Sequence, residues 1–127
     1  MADVNRGNRP LSPHLTVYRP QITSMLSILH RVTGVGLTLG AILVVWWLLA
    51  AATSAEYFQF VDGLMTSWIG HLVLLGLTFS LAYHFCNGIR HLIWDIGYRF
   101  ELDQVEQSGK AVIGAAAVLT VLVWLLA

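Results

Sequence analysis

Charge is what this sequence has least of. Only 7 Lys or Arg and 7 Asp or Glu stand among its 127 residues, 11% of the chain, against about a quarter in a soluble domain. Hydrophobic residues make up 57%, so the composition describes an integral membrane protein, of a length that suits one domain. The formal net charge is zero and no basic block is present, which excludes nucleic acid as a partner. A single cysteine, Cys86, excludes an intrachain disulfide and cannot build a thiolate metal site alone. The first residues also lack the apolar stretch of a signal peptide, and Asp3 in so short a lead counts against a transit peptide. The expectation is a bacterial inner-membrane protein, inserted in the lipid bilayer through its own helices.

Three long segments contain no Asp, Glu, Lys or Arg: Val32 to Ala55 (24 residues), Gly63 to Ile89 (27) and Ala111 to Ala127 (17). A hydrocarbon core about 30 Å thick takes roughly 20 helical residues, and inside lipid the backbone must satisfy itself. An all-α protein of three transmembrane helices follows, with helices about 24–53, 65–94 and 108–127 behind an N-terminal arm, residues 1–23. Pro10, Pro13 and Pro20 make that arm extended, and Thr23 or Ser24 is placed to cap the first helix.

All seven cations, Arg6, Arg9, Arg19, Arg31, Arg90, Arg99 and Lys110, lie in the arm or the second connection, whereas the first connection carries only Glu56 and Asp62. The positive-inside rule therefore puts the N-terminus in the cytoplasm and the C-terminus in the periplasm. Tyr57, Phe58, Phe60 and Trp68 then form an aromatic belt at the outer interface. The glycines of GVGLTLG, Gly34, Gly36 and Gly40, read as close-packing points between helices, since a phosphate loop has no place in a span.

Two polar clusters fall at one depth: Ser27 to Arg31 (SILHR) and His84 to His91 (HFCNGIRH). Both occupy the cytoplasmic ends of antiparallel neighbours. Ser27 and Arg31, at i and i+4, share a helix face. His84 and His91 share a face roughly 10 Å apart, and Gly88 leaves room for a bulky planar group or another helix. A neutral imidazole in a dry bundle is a common axial ligand of haem iron. Haem propionates call for partners at the depth of His30, Arg31 and Arg90. A serine beside an arginine suits a quinone carbonyl, where negative charge develops on reduction.

Plainer readings stand beside these. His84 can be a hydrogen-bonded helix residue, Arg31 and Arg90 snorkelling anchors, Ser27 a near-cap residue and Cys86 a packing residue. Trp46 and Trp47 read as lipid or helix contacts. His71, 13 residues before His84, points about 140° away from it, which favours an interfacial role over a second haem.

The runs RPLSPHLTVY…SMLSILHRVTG, Arg9 to Gly34, and HFCNGIRHLIWDIG, His84 to Gly97, resemble the cytochrome b membrane-anchor subunits of succinate dehydrogenase, respiratory complex II. The resemblance covers the chain from Arg9 to its end. It implies His84 as an axial ligand of haem b, with the other ligand from a second small membrane-anchor subunit. It further implies Ser27 and Arg31 at the ubiquinone pocket beside the iron–sulfur subunit, His30 and Arg31 near the haem propionates, and Asp95 as a proton relay. Succinate oxidation itself would belong to a flavoprotein subunit, since one cysteine cannot hold a four-thiolate cluster and nothing in this chain suggests a flavin site. The chain would thus be part of a succinate:quinone oxidoreductase without oxidising succinate alone. Two alternatives remain. One is a haem-free structural anchor of a dehydrogenase or fumarate reductase, as some relatives of the complex carry fewer haems or none. The other is an ion conduit using His84, Asp95 and Glu101, disfavoured because the polar residues gather at one end.

Overall fold

The computed structural model describes residues 10, 12 and 14–127; Arg6, Arg9 and Pro13 lie outside the described residues. Among the described residues four helices follow one another, α1 (Ile22–Thr53), α2 (Ala55–Met65), α3 (Trp68–Asp95) and α4 (Leu102–Leu126), and there is no strand. Helices α1, α3 and α4 are long and apolar enough to cross a membrane. The fourth helix, α2, corrects the expectation of a plain connection. Ser54 ends α1 and starts α2, its Oγ accepting from the Tyr57 N–H at 3.1 Å, as an N-cap does.

Helix α4 starts at Leu102 rather than near residue 108. The first turns hold Asp103 and a Glu106–Lys110 pair at 2.9 Å, and such charged turns continue a helix beyond the lipid even though they end a charge-free run. Helix α1 is capped by Gln21 without a side-chain bond. Neither Thr23 nor Ser24 serves: both are inside the helix, and Ser24 Oγ bonds the Tyr18 hydroxyl at 2.8 Å. At the far end of α3, Gly97 takes a φ of 86°. Its N–H reaches Trp94 O, and Tyr98 N–H reaches Ile93 O, at 2.8 and 3.2 Å, so a Schellman motif stops the helix just past Asp95.

Helix α3 runs antiparallel to both α1 and α4 and packs on each. Leu26, Tyr83, Val112 and Ala116 form the core where the three meet, with Ile22, Phe79, Ala82 and Cys86 against it. Two of the three glycines of GVGLTLG do admit a neighbour. A Cβ on Gly40 would lie 2.8 Å from Leu77 Cδ2 and one on Gly34 3.2 Å from His84 Cε1, whereas Gly36 faces open space. Helix α2 folds back on α1, held by Trp46 Nε1–H to Tyr57 Oη (2.8 Å) and Trp47 Nε1–H to Asp62 Oδ1 (3.0 Å). Trp46 and Trp47 are therefore helix contacts, one of the two readings open to them from sequence, and they make hydrogen bonds to α2. At the α2–α3 turn a Cβ on Gly70 would collide with the Met65 carbonyl.

Most of each span still faces outward: only 6% of the most apolar stretch of α3 is buried. Lipid or partner chains must cover the rest, because exposed apolar surface of this extent is not stable in water.

Candidate functional site

At one end of the bundle the start of α1, the end of α3 and the start of α4 come together, and both sequence-predicted clusters lie there. His84 is half-buried on α3 and faces α1. Its Nδ1 lies 3.1 Å from the His30 carbonyl oxygen and 3.2 Å from Thr33 Oγ1. A carbonyl can only accept, so Nδ1 carries the proton. Thr33 spends its one hydroxyl hydrogen on the same His30 carbonyl, at 2.9 Å, which leaves its oxygen lone pair to accept from His84. Both bonds put a proton on Nδ1, so in the neutral ring Nε2 is the nitrogen with the free lone pair. Nε2 makes no hydrogen bond among the described residues.

The space around the ring is set by glycine. Gly34 brings α1 against His84 Cε1, while a Cβ on Gly88, one turn along α3, would meet nothing within 4 Å. The His30 ring stacks on that of His84, centroids 3.8 Å apart and planes 13° from parallel. It also approaches His91 at 5.3 Å, and His91 stands edge-on to Trp94 at 5.1 Å. The His30 Nδ1 is buried and has no hydrogen bond among the described residues.

Ser27 is half-buried and Arg31 exposed, one turn apart on α1. Arg31 makes no ion pair among the described residues. Asp95 is exposed in the last turn of α3. Arg90 has a different setting from the one the sequence suggests. It is 4% exposed, and it donates from Nε to Ser108 Oγ (2.9 Å), from Nη1 to Asn87 Oδ1 (3.3 Å) and from Nη2 to the Val105 carbonyl (2.8 Å). Its guanidinium also lies 4.1 Å from the centre of the Trp94 ring, a cation–π contact. Nε and Nη2 thus join α3 to α4, while Nη1 bonds Asn87 within α3.

Sequence reasoning missed three supporting residues. Thr33 looks like any span threonine, since such hydroxyls commonly bond their own helix. Tyr83, 0% exposed, donates to the Leu26 carbonyl at 2.7 Å and fixes α1 against α3. Ser108 meets Arg90 only after α4 has folded back.

Among the described residues no three His, Cys, Asp or Glu side chains converge as a metal-ligand set. A single imidazole with Nδ1–H anchored and Nε2 bare is nevertheless the donor set for one axial position on haem iron. The residues fit that group.

Known proteins bear on the same point. The succinate dehydrogenase/fumarate reductase transmembrane-subunit family matches residues 5–123. A succinate dehydrogenase cytochrome b556 subunit from Paracoccus denitrificans is 48% identical over 122 residues, 96% of this chain and 94% of that one. One from Rickettsia prowazekii (strain Madrid E) is 47% identical over 116 residues, covering 91% and 90%. The cytochrome b560 subunit of Marchantia polymorpha is 37% identical over 120 residues, covering 91% and 88%. Three spans and these relatives make the chain a multi-pass inner-membrane protein. It belongs to the succinate dehydrogenase/fumarate reductase transmembrane-subunit family, as a cytochrome b membrane anchor.

Proposed function

We propose that this chain supplies one axial ligand, His84, to a haem b shared with a second small anchor subunit, and forms part of the site where ubiquinone is reduced. The observation that carries the proposal is the pinned imidazole: Nδ1 held by the His30 carbonyl at 3.1 Å, Nε2 bare. A metal-binding histidine needs that arrangement, because the bond at one nitrogen fixes the tautomer and ring plane that present the other. Gly88 leaves the adjacent face open. A haem held there would supply one-electron redox chemistry.

The remaining residues take roles their positions support. His30 stacks on the ligand and the exposed Arg31 follows it on α1, at the depth where propionates need cationic or hydrogen-bonding partners. Ser27 and Arg31 donate to a quinone carbonyl, where positioned donors stabilise developing negative charge. Asp95, exposed at the end of α3, passes protons from water to that site, since forming the quinol consumes two. Of the two roles the sequence left open for Arg90, propionate partner or helix anchor, its bonds from Nε and Nη2 to α4 support the anchor, and in this reading the propionate edge falls to His30 and Arg31.

The orientation proposed puts this end in the cytoplasm. Arg19, Arg31, Arg90, Arg99 and Lys110 all lie at it, and Glu56 and Asp62 lie on α2 at the other. There the chain would meet an iron–sulfur subunit, itself fed by a flavoprotein that oxidises succinate.

One set of variants tests both halves. In the purified complex, His84→Ala removes or strongly shifts the b-type band of the reduced-minus-oxidised spectrum at equal subunit content. Ser27→Ala and Arg31→Ala keep that band and raise the KM for quinone. A wild-type complex without the band sinks the haem assignment, and an unchanged KM in both α1 variants removes them from the quinone site.

A further inference from the structure

Thr33 behaves unlike the other threonines of the spans. The hydroxyls of Thr38, Thr53, Thr78 and Thr120 each donate to the carbonyl four residues back, the ordinary way a helix satisfies a threonine. Thr33 donates instead to the carbonyl three residues back, that of His30, at 2.9 Å. Its oxygen also meets His84 Nδ1 on α3 at 3.2 Å. Thr33 is buried, 4% exposed, so little water competes for either bond. Next along α1, Gly34 leaves the ring 3.2 Å of space where any side chain would begin.

We propose that Thr33 is a positioning residue for the iron-binding imidazole. Its hydroxyl ties the His30 carbonyl and His84 Nδ1–H into one unit, which fixes the ring plane and increases electron donation from Nε2. This rests on the reading of His84 as an axial ligand. The physical link is general: a hydrogen bond to the outer N–H of a ligating imidazole raises its basicity, and second-shell bonds of this kind tune haem potential. A more basic ligand favours the oxidised iron, so losing the bond raises the midpoint.

The test compares Thr33→Val and Thr33→Ser in the assembled, haem-loaded complex. Valine keeps the shape and removes the hydroxyl; serine keeps the hydroxyl and removes the methyl. Redox titration of the b-type band is expected to show an upward midpoint shift for Thr33→Val and a wild-type midpoint for Thr33→Ser. Transfer of haem to a scavenger protein is expected to show an affinity loss on the order of tenfold for valine only. A wild-type midpoint for Thr33→Val overturns the proposal, as does an equal shift in Thr33→Ser, which would make the methyl contact the cause. Should Thr33→Val assemble without haem, Thr33→Ser decides alone: wild-type content and midpoint support the proposal, and loss of haem overturns it. His84→Ala run in parallel separates the two readings. Band lost there with Thr33→Val unmoved means that only the positioning role fails; band retained there means that the ligand assignment itself fails.

Discussion

The two ends of this bundle handle polarity in opposite ways. At the end with α1's start and α3's finish, polar groups reach across helices. Tyr83 bonds the Leu26 carbonyl, His84 the His30 carbonyl, and Arg90 both Ser108 and the Val105 carbonyl. At the opposite end the bonds mostly close short loops of chain, with Ser54 and Ser67 capping helices and Trp46 and Trp47 holding α2 to the α1 it follows. Among the described residues the bond there between the residues furthest apart in sequence, Trp124 Nε1–H to Thr78 Oγ1, is 3.3 Å long. In lipid the hydrophobic effect gives helices little reason to choose one partner over another, so packing and interhelical hydrogen bonds set the register. The first end is therefore the part of the fold that fixes helix against helix, and the part that presents the bare Nε2 of His84. The second end turns the chain around.

Removing Arg90 should break this contrast most visibly. Arg90→Met leaves Asn87 Oδ1 without its donor, whereas the Val105 carbonyl keeps the Ser108 hydroxyl, so a loss of roughly 1–3 kcal/mol is expected for the one buried group left unpaired. It reads as a lower dissociation temperature of the detergent-solubilised complex at a fixed heating rate, with the b-type band of the surviving complex in place. A dissociation temperature equal to wild type would show that Arg90 does not clamp α3 to α4. The smallest effect belongs to the other end. Trp47→Phe removes the bond to Asp62, half-buried at 3.0 Å, and should cost about 1 kcal/mol while leaving the haem midpoint unchanged. A midpoint shift from so distant a change would erase the distinction between the ends.

How far the sequence carried the fold depended on how each feature is encoded. The spans were legible because lipid excludes charge over whole stretches, and the glycine pattern foretold the contacts of Gly34 and Gly40. Helix α2 was not: its 11 residues mix Glu56 and Asp62 with aromatics, which resembles an interfacial loop as much as a helix. The depth coincidence of Ser27–Arg31 and His84–His91 came from charge placement alone. What holds His84 did not, because its main acceptor is a backbone carbonyl, and a carbonyl has no residue type to read. Arg90 looked like a boundary cation since its partners lie on α4, 15 and 18 residues away. Its burial depends on how α4 folds back.

The central claim is that His84 gives iron its Nε2 and that α1 holds the ring in place to do so. Its most direct test is the complex carrying His84→Gly, which removes the side chain and leaves a hole of imidazole shape beside Gly34 and Gly88. The account predicts that the reduced-minus-oxidised b-type band disappears or shifts in this variant and returns when free imidazole is added, saturating with its concentration. A band that is unaltered before imidazole, and indifferent to it, would contradict the account.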